Sequence, residues 1–268
     1  MGNADTSFTG SIPALYDRYL GPLIFEEYAR DLAERARALA PKRVLETAAG
    51  TGIVTRAICG ALPGATIVAT DLNQAMLDYA ASRAAVGNVT WRQADAQALP
   101  FGDGEFDLVT CQFGAMFFPD KRRAYREAHR VLRSGGRFIL SVWDRIEENE
   151  IADIVTKTLA SLFPQNPPRF LVRTPYAYFN TDAIVEELRA AGFTQTETAT
   201  LAKRSRAGSP RHPAIAFCQG TPLRGEIEAL DKDSLERATD AAAAAIAARF
   251  GSGAIEGKIQ AHVITATR

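Results

Sequence analysis

Val44-Leu45-Glu46-Thr47-Ala48-Ala49-Gly50-Thr51-Gly52-Ile53-Val54-Thr55-Arg56-Ala57-Ile58 reads as a strand ending in an acid, a turn with two glycines, and the start of a helix. Pro41 precedes the apolar run, so the strand opens where a helix cannot continue. In an open parallel sheet, ligands sit beyond the carboxyl ends of the strands, and glycines after the first strand let the backbone approach them. The stretch therefore predicts the first βα unit of an α/β sheet and places a ligand at its turn.

Working outward, the pattern repeats. Thr66-Ile67-Val68-Ala69-Thr70-Asp71 is a second apolar run that ends on an acid, and Asn73 is placed to cap the next helix, in which Met76, Leu77 and Ala80 share a face. Val89-Thr90-Trp91-Arg92 leads into Asp95, and Phe106-Asp107-Leu108-Val109-Thr110-Cys111 follows the turn Phe101-Gly102-Asp103-Gly104. Pro119 opens a helix through Tyr125, Ala128, Val131 and Leu132, which Gly135-Gly136 is expected to stop. Arg137-Phe138-Ile139-Leu140-Ser141-Val142-Trp143 is the most continuously apolar run, as a buried central strand should be. Alternation from residue 44 to about 144 predicts consecutive βαβ units and a mostly parallel sheet.

After residue 145 the pattern changes. A helix near 147–162 gives way to Phe163-Pro164-Gln165-Asn166-Pro167-Pro168, which no helix or central strand tolerates, and this reads as a cap or lid. A capped helix at 181–191, a strand near 194–201, an alanine-rich helix at 241–250 and an alternating strand at 258–267 follow. The expected division is a helical N-terminal cover at 1–40, a ligand-binding core at 41–145, a cap at 146–180, and completion of the same α/β domain at 181–268.

Composition narrows the function. The 268 residues carry 31 basic and 31 acidic side chains, so the strongly basic face of a dedicated nucleic-acid binder is not expected. The densest basic stretch, Lys203, Arg204, Arg206 and Arg211, is short and interrupted. Cys59, Cys111 and Cys218 are far apart, and His129, His212 and His262 show no ligand spacing, so neither a disulfide framework nor a metal site is expected. No apolar run reaches the ~20 residues of a membrane span, and no basic-then-apolar leader opens the chain. Stable membrane association is therefore not expected, and a reducing cytoplasm is the expected location. Met1-Gly2-Asn3-Ala4-Asp5-Thr6 fits a myristoylation template, but no polybasic second signal follows it.

The turn itself selects among nucleotide-like ligands. A dinucleotide pyrophosphate wants G-x-G-x-x-G, because it lies on bare amides at a helix N-terminus. Here the position three beyond Gly52 is Thr55, so that fingerprint fails, which argues against a nicotinamide-dependent oxidoreductase. Glu46 stands just before the turn, where it would repel a diphosphate and attract an ammonium group. Asp71 stands at the end of the second strand, where a carboxylate can hold ribose hydroxyls. A cationic adenosine cofactor satisfies both acids.

These segments resemble a class I S-adenosylmethionine-dependent methyltransferase, closest to the small-molecule branch that includes the ubiquinone and menaquinone C-methyltransferases. Glu46 to Gly52 is similar to that family's E/D-x-G-x-G-x-G motif, Thr70 to Leu77 to the second motif, and Ala94 to Phe101 with Phe106 to Val109 to the third and fourth. Glu127 to Arg137 resembles the segment leading into the fifth strand. The likeness is strong over about residues 40–145 and weaker beyond. It implies a Rossmann-like, mostly parallel seven-stranded sheet with helices on both faces, an antiparallel last strand and a helical cap. It also implies that Asp71 takes the ribose hydroxyls, Leu72 packs on the adenine, and Asp95 accepts the adenine amino group beside the Ala96 amide. Gly50 and Gly52 would approach the methionine moiety, with Thr51, Gln112 and Phe113 close to it or to the methyl.

Ala48 departs from the family, which has glycine there; an alanine in ordinary backbone conformation would reshape the pocket slightly without disabling it. Each acid also has a plainer reading, Asp71 as a helix cap and Asp95 as a strand terminator. Glu46 could act through solvent or the turn amides rather than by direct contact. Phe113, Phe117 and Phe118 read as core, with one of them near the methyl; Tyr16, Tyr19 and Tyr28 read as packing; Trp143 reads as a pocket wall. His129 is expected exposed, His262 structural, and His212 is the one histidine considered as a base. The expected activity is methyl transfer from S-adenosylmethionine to a small, aromatic or largely apolar acceptor. A non-catalytic S-adenosylmethionine-binding protein stays open as the alternative, and RNA or protein methylation is disfavoured by the neutral charge and the lid.

Overall fold

The computed structural model describes residue 5 and residues 10–83 and 88–268. The myristoylation-like pattern lies outside the described residues except for Asp5. Seven strands, β1 (Arg43–Thr47), β2 (Thr66–Asp71), β3 (Val89–Gln93), β4 (Phe106–Gln112), β5 (Leu132–Trp143), β6 (Gln195–Ala207) and β7 (Ile255–Thr267), form one sheet in the order β3-β2-β1-β4-β5-β7-β6. β1 pairs in parallel with β2 and β4, β2 with β3, and β4 with β5. β7 runs antiparallel: the Gly135 amide donates to the Arg268 carbonyl, and the Asp144 amide to that of Gln260. The order reverses between β1 and β4, so the carboxyl end of β1 is the switch point at which such sheets take ligands.

The helices are α1 (Ile12–Leu15), α2 (Glu26–Leu39), α3 (Ile53–Ala61), α4 (Gln74–Arg83), α5 (Lys121–Val131), α6 (Glu150–Leu162), α7 (Phe170–Arg173), α8 (Thr181–Ala190), α9 (Arg211–Gln219), α10 (Leu223–Glu228) and α11 (Ser234–Phe250). They fall with the strands into two compact units. One comprises Glu27–Val142, Phe179–Leu201 and Ala261–Arg268. The other comprises the described residues up to Glu26, Trp143–Tyr178 and Ala202–Gln260. The 181–268 segment is thus divided between them.

In the first unit, Ala29, Leu32 and Ala36 of α2 and Val54 and Ile58 of α3 pack against Val44, Ile67, Leu108 and Ile139, which alternate along their strands to line one sheet face. α2 stops because Ala40 turns left-handed, at φ 46°, before Pro41. In the second unit the alanine-rich α11 packs on α6 and α9. Ahead of α2, Tyr16–Phe25 winds as a wider π-helix around Pro22, with the Glu26 amide reaching back to Gly21.

Several boundaries differ from the sequence reading. Asp120, not Pro119, caps α5, its carboxylate accepting the Arg123 amide at 2.9 Å. α5 ends at Val131, and Leu132 already belongs to β5. Gly135-Gly136 therefore stops no helix; it lies inside β5 beside a register shift in the β4–β5 pairing, with Gly135 at φ 75°. β6 continues past residue 201 to Ala207, because its charged tail alternates outward and Arg206 pairs with Glu256 at 2.6 Å. α7, α9 and α10 are short and had no expected counterpart.

Candidate functional site

Between β1 and α3 the chain turns through three left-handed residues, Ala48 (φ 54°), Gly50 (φ 55°) and Gly52 (φ 77°). The turn is clamped from both neighbouring strands. The Ala49 amide donates to Thr70 O at 2.9 Å, the Thr70 hydroxyl to Glu46 O at 2.9 Å, and the Thr47 hydroxyl to Thr110 O at 3.2 Å. Gly52 needs to be glycine twice over, since a Cβ there would also stand 2.6 Å from the Trp91 ring.

Ala48 corrects the expectation of ordinary backbone conformation. An L-residue in the left-handed region costs roughly 1–2 kcal/mol, and nothing in the alanine relieves it. Its methyl fits because residue 114 has none: a Cβ built on Gly114 would meet the Ala48 Cβ at 2.4 Å and Cys111 Sγ at 3.0 Å. The glycine missing from the turn has a counterpart in the glycine after β4.

Two carboxylates close the turn from below. Glu46 is 2% exposed, and its Oε2 accepts the Thr55 hydroxyl at 2.6 Å. Burial pushes its pKa up to about 8, with the Thr55 bond opposing and the negative Asp71 adding to the rise. Asp71 is 8% exposed and ties two loops together: Oδ2 accepts the Gly50 amide at 2.8 Å and Oδ1 the Asn73 amide at 2.8 Å. Burial raises its pKa as well, against the pull of those amides.

Around these acids the structure gathers most of the expected set. Thr51 is buried, and its hydroxyl has no hydrogen-bond partner among the described residues. Leu72, directly after Asp71, is 55% exposed, an apolar side chain without cover. Asp95 and Ala96 are half-buried on the loop after β3, where Asp95 Oδ1 accepts the Gln97 amide at 2.8 Å. Gln112 is half-buried at the end of β4. Phe113 follows it, buried and at φ 53°, a left-handed bulky residue of the kind that collects at functional sites. Its ring meets Tyr28 edge-on at 5.4 Å, and the Tyr28 hydroxyl donates to Leu201 O at 3.0 Å.

His129 is half-buried rather than exposed: it meets Phe193 edge-on at 5.2 Å, and burial lowers its pKa. His262 is buried, with Nδ1 at 2.9 Å from the Thr200 hydroxyl. His212 is exposed on α9 in the other unit, its ring 5.5 Å from that of Tyr19. Trp143 packs in that same unit against Phe25 and Tyr176. Among the described residues, no His, Cys, Asp and Glu cluster is placed to hold a metal, and no helix is long and apolar enough to cross a membrane.

An anion site at a helix N-terminus would not bury two carboxylates beneath it, whereas a cationic ligand bearing a ribose suits them both. The methyltransferase-domain family matches residues 45–140, the span of this turn, both acids and the Asp95 loop. These residues form a class I methyltransferase domain. The methyl donor of such a methyltransferase domain is S-adenosylmethionine. An uncharacterized protein of Mycobacterium tuberculosis is 36% identical over 159 residues, 59% of this chain and 55% of that one. A demethylmenaquinone methyltransferase of Thermus thermophilus is 40% identical over 121 residues, 42% of this chain and 55% of its own. The matched region thus spans about half the length of these relatives. In fold, the chain is similar to phosphoethanolamine N-methyltransferase 2 of Haemonchus contortus, solved with S-adenosyl-L-methionine (TM-score 0.62, 18% identity, covering 100% of this chain and 60% of that one).

Sequence reasoning missed Thr55 and Gly114 in this methyltransferase domain. Thr55 was read only as a broken phosphate fingerprint, yet its hydroxyl is the hydrogen-bond donor that holds Glu46. Gly114 carried no signal without the spatial contact to Ala48.

Proposed function

We propose that the protein transfers a methyl group from S-adenosylmethionine to a small, aromatic or largely apolar acceptor. The observation that carries this reading is the pair of buried acids, Glu46 and Asp71, closing a left-handed turn at the switch point of the sheet. Bound there, the cofactor supplies an electrophilic methyl on a sulfonium. Asp71 offers its carboxylate to the ribose hydroxyls, Leu72 an uncovered apolar surface to the adenine, and Asp95 an acceptor to its amino group. Thr51 brings a buried hydroxyl to the methionine moiety, beside Gly50, Gly52 and the Ala48 methyl. The negative charge of Asp71, joined by that of Glu46 once a cationic ligand draws off its proton, favours a cationic donor over its neutral product. Gln112 and Phe113 stand at the end of β4 to face the methyl.

The chemistry is a direct displacement. The acceptor's electron pair forms the new bond to the methyl carbon as the sulfur–methyl bond breaks, leaving the neutral thioether. Holding donor and acceptor in line and dry is worth about 7–11 kcal/mol in favourable cases, so residues that position and cover carry the rate. An acceptor that must lose a proton also needs a base. An aromatic acceptor is suggested by the aromatic and proline content of the expected lid, including Phe163, Phe170, Tyr176, Tyr178 and Phe179.

Calorimetric titration with S-adenosylhomocysteine tests the cofactor reading, with methyl transfer to a panel of phenols, quinols and amines as the second stage. Micromolar binding and turnover of a panel member support the proposal. Binding with no turnover of any acceptor favours a non-catalytic S-adenosylmethionine-binding protein; no binding refutes the site.

A further inference from the structure

The loop at 94–105, which carries Asp95 and Ala96, has no helix or strand of its own. It is nevertheless fixed along its length by one face of α5, on which Arg123, Glu127 and Arg130 recur at helical spacing. Near the start of α5, Arg123 Nε donates to Gln97 O at 2.9 Å and the Asp120 amide to Gln97 Oε1 at 2.9 Å. The Gln97 amide in turn donates to Asp95 Oδ1. Near its end, Glu127 Oε2 accepts the Leu99 amide at 2.7 Å, and the two Glu127 oxygens take Arg130 Nε and Nη2 at 2.8 Å each. Arg130 then gives Nη1 to Phe101 O and Asp103 Oδ1 and Nη2 to Leu99 O, at 2.8, 2.8 and 3.0 Å.

These bonds use all five N–H donors of the guanidinium. A lysine has three donors and no planar fork, so it cannot reproduce them. The bond from Arg130 also holds the Glu127 carboxyl below the usual carboxylate range, so the pair stays charged and closed. Neither residue touches Asp95. Both act on the backbone that carries it.

We propose that Glu127 and Arg130 are positioning residues for base recognition: by pinning Leu99, Phe101 and Asp103 to α5, they set where the Asp95 carboxylate stands, and so make the site demand an amino group on the base. The proposal rests on the cofactor reading above. A carboxylate held in place accepts from the amino group of adenine and repels the carbonyl oxygen of hypoxanthine. One such charged hydrogen bond corresponds to a preference of about tenfold. A loop released from α5 would keep apolar stacking on Leu72 and lose the preference.

The test is calorimetric titration of the full chain with S-adenosylhomocysteine and S-inosylhomocysteine, in the wild type, Arg130→Met, Arg130→Lys, Glu127→Gln and Asp95→Asn. The wild type should prefer adenine about tenfold and Arg130→Met and Arg130→Lys about twofold; Glu127→Gln, which keeps one acceptor oxygen but turns an amide donor toward the groups the other held, should fall between them. Asp95→Asn should abolish the preference, and adding Arg130→Met to it should change the ratio no further. A purely structural role for Arg130 weakens both ligands together and leaves the ratio intact, which overturns the inference. Should Arg130→Met fail to fold, Arg130→Lys decides. A wild type that binds both ligands equally overturns the inference while leaving the cofactor site standing; a wild type that binds neither overturns both.

Discussion

Ala48 and Gly114 should be energetically coupled, and the coupling can be worked from their geometry. Gly114 has φ −102° and ψ −31°, so an alanine there carries no backbone penalty. Its cost is steric, set by approaches of 2.4 Å to the Ala48 Cβ and 3.0 Å to Cys111 Sγ. Overpacking of that kind costs about 1–3 kcal/mol. Ala48→Gly, by contrast, relieves roughly 1–2 kcal/mol of left-handed strain and gives back about 0.5–1 kcal/mol through the freer unfolded chain, so it should be neutral to mildly stabilising. In that background the 2.4 Å clash is gone, and Gly114→Ala should cost about 1 kcal/mol or less, leaving a coupling near 1–2 kcal/mol. Urea unfolding of the four proteins in the cycle measures this directly. If Gly114→Ala costs the same within about 0.5 kcal/mol in both backgrounds, the two positions are independent and the explanation for Ala48 is wrong.

Glu46 keeps its proton in the folded protein up to about pH 8 but loses it near 4.5 when unfolded, so its contribution to stability falls as pH rises across that window. Glu46→Gln keeps an acceptor for the Thr55 hydroxyl and should flatten that fall, raising the melting temperature more at pH 8 than at pH 5. The same raised pKa predicts that a cationic ligand, by drawing Glu46 into its charged form, releases a proton below pH 8. Calorimetry with S-adenosylmethionine in buffers of different ionisation enthalpy reads the release, which should vanish in Glu46→Gln. Asp71→Ala should lose stability as well as affinity, because the Gly50 and Asn73 amides lose their acceptors, at about 1–3 kcal/mol for a buried group left unpaired. Asp71→Asn, retaining one acceptor oxygen, should be the better-folded variant in thermal melts. Leu72→Ser removes an exposed apolar surface, so it should leave stability within about 0.5 kcal/mol and weaken S-adenosylhomocysteine several-fold in titration.

Where a segment's structure is decided by its own periodicity, the sequence was enough to read it. β1, β2 and β4 alternate or run apolar between strong breaks, and their acidic or polar carboxyl ends mark the ligand side before any contact is known. The expected glycine stop at 135–136 misled because a glycine pair serves a bulge within β5 as readily as a helix end, and only the strand register separates the two. The left-handed state of Ala48 was invisible for a related reason: alanine is tolerated there only through the space Gly114 leaves, a contact distant in sequence. Arg130 shows the same limit, since its spacing from Glu127 reads as an ordinary helix-surface pair while its other bonds go to backbone carbonyls, which no pattern of side chains records.

The two units interleave along the chain, with junctions at 26/27, 142/143, 178/179, 201/202 and 260/261. Three of these fall inside β5, β6 and β7 rather than in linkers. No single cut releases either unit, and no terminal deletion removes the second one while sparing the first. Exchanging it for that of a relative would mean splicing within hydrogen-bonded strands at matched register. The second unit should therefore be altered by substitution more readily than by recombination.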